Sequence, residues 1–372
     1  MRLCFIADGG SIHTQRWVNY FAAREHEVHL ISSRFTEGYE GFDSRIRMHQ
    51  LASFLPKLWK VSRYLNGIVW SFQVRALIIR IKPDIVNAHY VGVPAYLAAA
   101  SGFHPLVLTA WGSDILIDPK RNPIYRFFTR IALRKADYII CVSSVLKEEV
   151  ARLASIEDKI RVIPMGVDAQ KFGPKAKNKV LLESLHVADS PVVISIRNLK
   201  PVYNVETLIR AIPMILQEIP KAKFIIGGEG QQRSFLESTA RALGVSDSVR
   251  FVGWIPHGEL PKYLISSDVY VSTSLSDSLG VSNLEAMACG LPVVVGDLPA
   301  IREWTVDGDD GFIFPVKDHQ ALAKAVVRLL KDENLRRKVG EAARKVVTER
   351  AEYREQMAKV EAVYRESISS DI

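Results

Sequence analysis

The chain holds 372 residues, 48% hydrophobic and 24% charged, a globular composition that leaves out disordered, collagenous and coiled-coil chains. At about 100–200 residues per domain the length points to two domains, and no apolar run reaches the ~18 residues of a membrane span. The net charge of +8 is uneven: residues 1–168 carry 22 Lys and Arg against 15 Asp and Glu, the remainder 27 against 26, so the first half favours an anionic partner such as phosphate, nucleic acid or acidic lipid.

The opening apolar run, 3–7, is too short for a signal-peptide core, so a cytoplasmic rather than exported protein is expected. Cys4, Cys141 and Cys289 stand far apart inside apolar segments, with no metal spacing among them, and read as buried reduced thiols.

In chain order, short apolar runs alternate with helix-length segments. Strands are expected at 2–7, 26–32, 84–89, 105–110, 137–142 and 159–163, and again at 191–196, 222–227, 249–252, 268–272, 292–295 and 311–314. Strands alternating with helices indicate an α/β protein with parallel sheets covered on both faces. The segment 164–179, with Gly166, Gly173, Pro174 and little periodicity, reads as a linker. The charged, helical stretch from about 336 to 372 has no strand after it and must pack on something already built.

Three Gly-bearing loops follow expected strands. The strongest is 276–292, SDSLGVSNLEAMACGLP, which leaves a strand and enters a helix expected at 283–289. Unpaired N–H groups at a helix N-terminus stabilise phosphate, and Glu285, one turn in, can accept ribose hydroxyls. An ordinary capped strand–loop–helix fits the local pattern equally well. The others are 7–14, ADGGSIHT, with Gly9 and Gly10, and 226–230, IGGEG, with Gly228 and Glu229. Paired glycines admit close approach to an anion, although a tight turn is the plain alternative.

Together these runs resemble the retaining glycosyltransferases of family 4. The resemblance spans nearly the whole chain: EHEV at 25–28, PDIVNAH at 83–89, IPMGVD at 163–168 with Phe172, FVGWI at 251–255 and EAMACGLPVV at 285–294. It implies the GT-B fold, two Rossmann-like domains facing each other across a cleft. The expected organisation is an acceptor-binding domain at 1–168, a donor-binding domain at 169–350, and a terminal helix at 351–372 returning to the first. It also implies sugar transfer from a nucleotide-sugar to an acceptor hydroxyl, without metal or other cofactor.

Carried over by position, the resemblance gives Glu285 the ribose and Asp277, eight residues earlier, the donor sugar; Asp277 is one methylene shorter than the usual Glu. The backbone from Gly280 through Val281, Ser282, Asn283 and Leu284 is expected at the diphosphate. Arg197 matches the family's diphosphate Arg. The usual Lys falls near Tyr203, with Lys200 as a stand-in. Cations suit this place because the leaving diphosphate gathers negative charge. Arg197, Asp277 and Glu285 are therefore the expected catalytic group, and Gly9, Gly10, Gly228, Glu229, Trp254 and Ile255 are further expected donor contacts.

One departure falls at 109–114, TAWGSD, where Trp111 replaces the family's His; an indole stacks on a sugar face but cannot shuttle protons. With Trp111, the residues His13, His89 and Asp114 are the expected acceptor contacts, although a lone His is often structural.

Two basic stretches contain aromatics: Lys120, Arg121, Arg126, Arg130, Arg134 and Lys135 with Tyr125, Phe127 and Phe128, in one helix-like stretch, and 56–82 with Lys57, Lys60, Arg63, Arg75, Arg80, Lys82, Trp59 and Trp70. They suit peripheral attachment to an anionic membrane, or a plain solvated face. The expected partners are a nucleoside-diphosphate sugar, an acceptor sugar or lipid-linked sugar and an anionic membrane surface, but not nucleic acid, as in assembly of glycolipid, lipid-linked or surface polysaccharide. A nucleotide-sugar epimerase of the same fold and a binding protein without transfer activity are the alternatives.

Overall fold

The computed structural model describes residues 1–35, 41–53 and 61–369, with 61–65 by backbone alone. It divides into two compact units, 1–164 with 356–372 and 165–355.

In the first unit, β1 (Arg2–Ile6), β2 (Glu27–Ser32), β3 (Arg47–Gln50), β4 (Ile85–His89), β5 (Leu106–Ala110), β6 (Tyr138–Cys141) and β7 (Ile160–Val162) form a parallel sheet in the order β3-β2-β1-β4-β5-β6-β7. In the second, β8 (Val192–Ile196), β9 (Lys223–Gly227), β10 (Val249–Gly253), β11 (Val269–Ser272), β12 (Val293–Gly296) and β13 (Phe312–Phe314) form a parallel sheet in the order β10-β9-β8-β11-β12-β13. The central strands read as near-continuous apolar runs because helices cover both faces, and Val193, Ile194, Val269, Tyr270 and Val294 are wholly buried. Each order reverses direction once, between β1 and β4 and between β8 and β11. Loops at the carboxyl ends of those strands are where such sheets leave room for a ligand.

β3 was not expected from the sequence. Its four residues, Arg-Met-His-Gln, are mostly exposed and lack an apolar alternation. What fixes it is its neighbour: it pairs with β2, and His29 Nδ1 lies 2.9 Å from His49 Nε2.

The last helix, Tyr353–Ser369, contributes to the first unit. Tyr364 is fully buried there, donating to Asn87 Oδ1 at 2.8 Å and accepting from Trp17 Nε1 at 3.1 Å. Glu361 accepts from Arg24 at 2.8 Å.

The basic stretch expected as one helix is two, Asp118–Arg121 and Pro123–Lys135. Asn122 ends the first and caps the second by accepting from the Ile124 amide at 2.8 Å, and Pro123 fits the first helical turn. Of the other stretch, Lys57, Trp59 and Lys60 lie outside the described residues, as does the Arg63 side chain; Arg75 and Arg80 stand exposed on the helix Val61–Ile81, and Lys82 just past its end.

Candidate active site

In the second unit, the switch between β8 and β11 is occupied by a charged cluster. Arg197 follows β8. Its Nη2 donates to Asp277 Oδ2 at 2.7 Å, to Ser272 Oγ at 3.0 Å and to Asn283 Oδ1 at 3.2 Å, and its Nε reaches Ser272 Oγ at 3.1 Å. Burial opposes the charge, but the Asp277 carboxylate, with Tyr270 and Tyr203, outweighs it and holds the guanidinium pKa above its ordinary value. The other oxygen of Asp277 accepts from the amides of Ser278 at 2.9 Å and Gly280 at 2.9 Å. A carboxylate one methylene shorter than Glu is thus bound both to the loop and to the arginine.

The loop after β11 leads into the helix Val281–Ala288, which begins two residues earlier than expected. Its N-cap, Gly280, has φ +67°, a left-handed conformation glycine adopts without strain. The helix has no side-chain cap and no acidic residue in its first turn. The Asn283 and Leu284 amides bond to the Gly280 carbonyl at 2.8 and 3.1 Å, so the first-turn donors outside these two bonds are the amides of Val281 and Ser282. Tyr270 donates to Ser282 Oγ at 2.8 Å, fixing the turn from below.

Glu285 lies on the same helix with its side chain 6% exposed. Its Oε1 is 2.9 Å from His257 Nε2, and His257 Nδ1 is 3.0 Å from Lys171 Nζ. Sequence reasoning missed His257, Lys171 and Ser272, since no spacing links them to the motif; they meet only through the sheet order and the return of the segment after β7.

The other expected donor contacts surround this switch unevenly. Tyr203 sits against Arg197, the guanidinium carbon 5.6 Å from the ring centre, so an aromatic face stands beside the cation. Lys200 and Glu229 are exposed, Trp254 is largely exposed, and Ile255 is buried. Gly228, at φ +124°, lets the loop after β9 touch the loop after β8; a Cβ there would collide with the Arg197 carbonyl. Its amide donates to the Gly253 carbonyl at 2.6 Å.

Gly9, Gly10, His13, His89, Trp111 and Asp114 all fall in the first unit, around the switch between β1 and β4. The Gly9 and Gly10 amides are already engaged, by Ser32 Oγ at 2.9 Å and Asp8 Oδ1 at 2.8 Å. The structure does bring His13, His89 and Trp111 together. His13 stacks on Trp111 at 5.5 Å, and Trp111 meets His89 edge-on at 5.3 Å and Trp17 at 5.4 Å. Asp114 is buried and its carboxylate accepts from the amides of Val91 at 2.7 Å, Gly112 at 2.6 Å and Trp111 at 3.1 Å. Burial pushes its pKa up while these amides pull it down. Asp114 therefore ties the loops after β4 and β5 together and holds the backbone at Trp111. His89 is also buried, with Nε2 on Asn87 Oδ1 at 2.8 Å; burial and then His13 push its pKa down to about 3, so it is neutral.

Two Rossmann-like units, each with its polar residues at a strand-order switch, define the GT-B class. The model of glycosyl transferases group 1 matches residues 179–346, and that of glycosyl transferase 4-like proteins matches 2–143. The N-acetyl-alpha-D-glucosaminyl L-malate synthase of Bacillus anthracis is 26% identical over 99% of this chain and 97% of its own. The GDP-mannose-dependent alpha-(1-6)-phosphatidylinositol monomannoside mannosyltransferase of Mycolicibacterium smegmatis is 29% identical over 67% of this chain and 66% of its own. Among solved structures, the sucrose-phosphate synthase of Thermosynechococcus elongatus superposes with a TM-score of 0.86 at 19% identity, covering 100% of both chains. The chain belongs to glycosyltransferase family 4, whose members draw on nucleotide-sugar donors, and it is a glycosyltransferase of GT-B fold.

Proposed function

We propose that the protein moves a sugar from a nucleoside-diphosphate sugar to an acceptor hydroxyl, with retention of anomeric configuration and without a metal ion. The observation that carries this reading is the link between Arg197 and the uncapped helix Val281–Ala288, made through Asn283 at 3.2 Å. A fixed cation and free N-terminal amides side by side suit a diphosphate whose charge grows as the glycosidic bond breaks. Glu285 accepts from the ribose hydroxyls. A freed diphosphate oxygen then takes the acceptor proton on the face it has just left, which gives retention. Both curated relatives carry "alpha" in the names of what they make or the linkage they form, in line with that outcome.

The first unit recognises the acceptor through Trp111 and His13, with Asp114 and the neutral His89 holding them in place. An indole face suits the apolar face of a sugar ring. The same unit rests on an anionic membrane at the cytoplasmic side, where glycolipid, lipid-linked or surface polysaccharide assembly takes place. Two exposed faces support this. On the helix Pro123–Lys135, Ile124, Phe127, Phe128 and Ile131 form an outward apolar stripe at spacings of three and four, beside exposed Arg126, Arg130 and Arg134. On the helix Val61–Ile81, Ile68, Phe72 and Ile79 are outward, with Arg75 and Arg80. Both helices pack against the helix Val93–Ser101. Among the described residues no helix is long and apolar enough to cross a membrane.

A thermal-shift panel of nucleoside diphosphates and their sugars tests the donor half, since a ligand of the native state raises the apparent Tm. No shift with any nucleotide would remove the reading.

A further inference from the structure

We propose that His257 is a positioning residue for the donor: held in one tautomer by Lys171, it orients the Glu285 carboxylate for the ribose. The proposal rests on the assignment of Glu285 to the ribose.

The three groups form a chain within the second unit, Lys171 Nζ to His257 Nδ1 at 3.0 Å and His257 Nε2 to Glu285 Oε1 at 2.9 Å. Its direction follows from chemistry. An ammonium has three donors and no acceptor, so His257 Nδ1 must accept from Lys171. The proton of the neutral ring therefore sits on Nε2, and Nε2–H donates to Glu285. Glu285 is 6% exposed and His257 21% at the side chain, so water competes weakly for either end.

The placement is built into the chain. Asp168 Oδ1 accepts from the amides of Gln170 at 3.0 Å and Lys171 at 2.9 Å, closing a tight turn. Phe172, buried to 1%, anchors the turn and lies against the His257 ring at 5.3 Å. The ring is thus fixed by packing on one side and by hydrogen bonds at both nitrogens. Among the described residues His257 is the hydrogen-bond partner of the Glu285 carboxylate, and it engages Oε1 alone. The bond fixes the carboxylate plane and leaves Oε2, together with the second lone pair of Oε1, for two neighbouring hydroxyls. Partners of this kind, one step back from the ligand, set the orientation of the group that touches it.

The test uses the full chain. UDP and GDP are titrated calorimetrically, each beside its 2′,3′-dideoxy analogue, into the wild type, Glu285→Gln, His257→Phe, His257→Gln and Lys171→Met. His257→Phe keeps the ring packing and removes both hydrogen bonds, whereas His257→Gln supplies an amide N–H and an accepting carbonyl. For whichever ribonucleotide the wild type binds, His257→Phe should weaken binding about tenfold while leaving the dideoxy analogue within about twofold, and His257→Gln should recover most of the loss. Lys171→Met should fall between. Equal weakening for ribo and dideoxy ligands, or none, overturns the proposal. In parallel, 15N spectra of labelled histidine should find His257 protonated at Nε2 in the wild type; protonation at Nδ1 also overturns it. If Glu285→Gln discriminates ribose as the wild type does, or if the wild type binds neither nucleotide, the ribose assignment fails instead, and the tautomer measurement still decides the relay.

Discussion

Arg197 and Asp277 form a nearly buried ion pair, Nη2 to Oδ2 at 2.7 Å, with side chains 10% and 12% exposed. The carboxylate is also the acceptor for the loop amides of Ser278 and Gly280, so it carries two tasks at once. Removing it strands a buried guanidinium. Asp277→Ala should therefore lower stability by about 3–5 kcal/mol, the cost of leaving one buried charge unpaired. Asp277→Asn, which keeps an acceptor oxygen but not the charge, should cost nearly as much. Urea unfolding of the two variants measures this, and a much smaller loss for Asp277→Asn would show that the acceptor oxygen, rather than the charge, carries the stability.

Arg197→Ala should leave Asp277 with its loop amides, so the stability loss should be smaller than that of Asp277→Ala. Turnover should fall by roughly 10²–10³, as when one donor to a developing anion is removed. A rise in the donor KM at unchanged kcat would mean that Arg197 binds ground and transition states alike.

Much of this site was legible from residue order. The loop 276–292 and Arg197 follow strands whose apolar runs are unmistakable, and the sheet orders bring both to one switch. β3 was not legible, because an edge strand of Arg, Met, His and Gln is held by pairing with β2 rather than by its own pattern. Nor was the engagement of Asp114 and Gly9: burial and hydrogen-bond partners depend on which loops meet, and sequence spacing says nothing about that. His257 lay unnoticed for the same reason, since it reaches Glu285 only after β10 and β11 have been placed on either side of β9 and β8.

His89 should make the fold acid-sensitive. In the unfolded chain it takes up a proton below about pH 6.5, whereas the folded ring does so only near pH 3. Between those values the unfolded state binds the extra proton, so stability falls as the pH drops through that window. His89→Gln, which can still donate to Asn87, should lose less stability between pH 7 and 5 than the wild type. Some slope should remain, because burial lowers the pKa of His26, His29 and His49 as well. Denaturant midpoints at the two pH values are the check; parallel shifts in both proteins would contradict it.

Phe127 and Phe128 are exposed on the helix Pro123–Lys135, and Phe72 on the helix Val61–Ile81. Burying such rings in a headgroup region and placing Arg126 and Arg130 near anionic lipid, at about 1 kcal/mol per basic residue, should give reversible attachment. The wild type should sediment with vesicles containing anionic lipid at low salt and release as salt rises. Phe72→Ser with Phe127→Ser should weaken sedimentation without changing nucleotide binding. Failure of the wild type to sediment with either anionic or neutral vesicles would leave an acceptor in solution.

Transfer chemistry with retention, centred on Arg197 and Glu285, can be followed in a single incubation. The protein is held with each member of a panel of α-linked nucleoside-diphosphate sugars, without acceptor, and the anomeric protons are followed by NMR. One donor should slowly release its nucleoside diphosphate to water, the freed sugar should first appear as the α anomer, and Arg197→Ala and Glu285→Gln should suppress the release. First appearance of the β anomer, or conversion of a donor to its epimer with the nucleotide still attached, would contradict it.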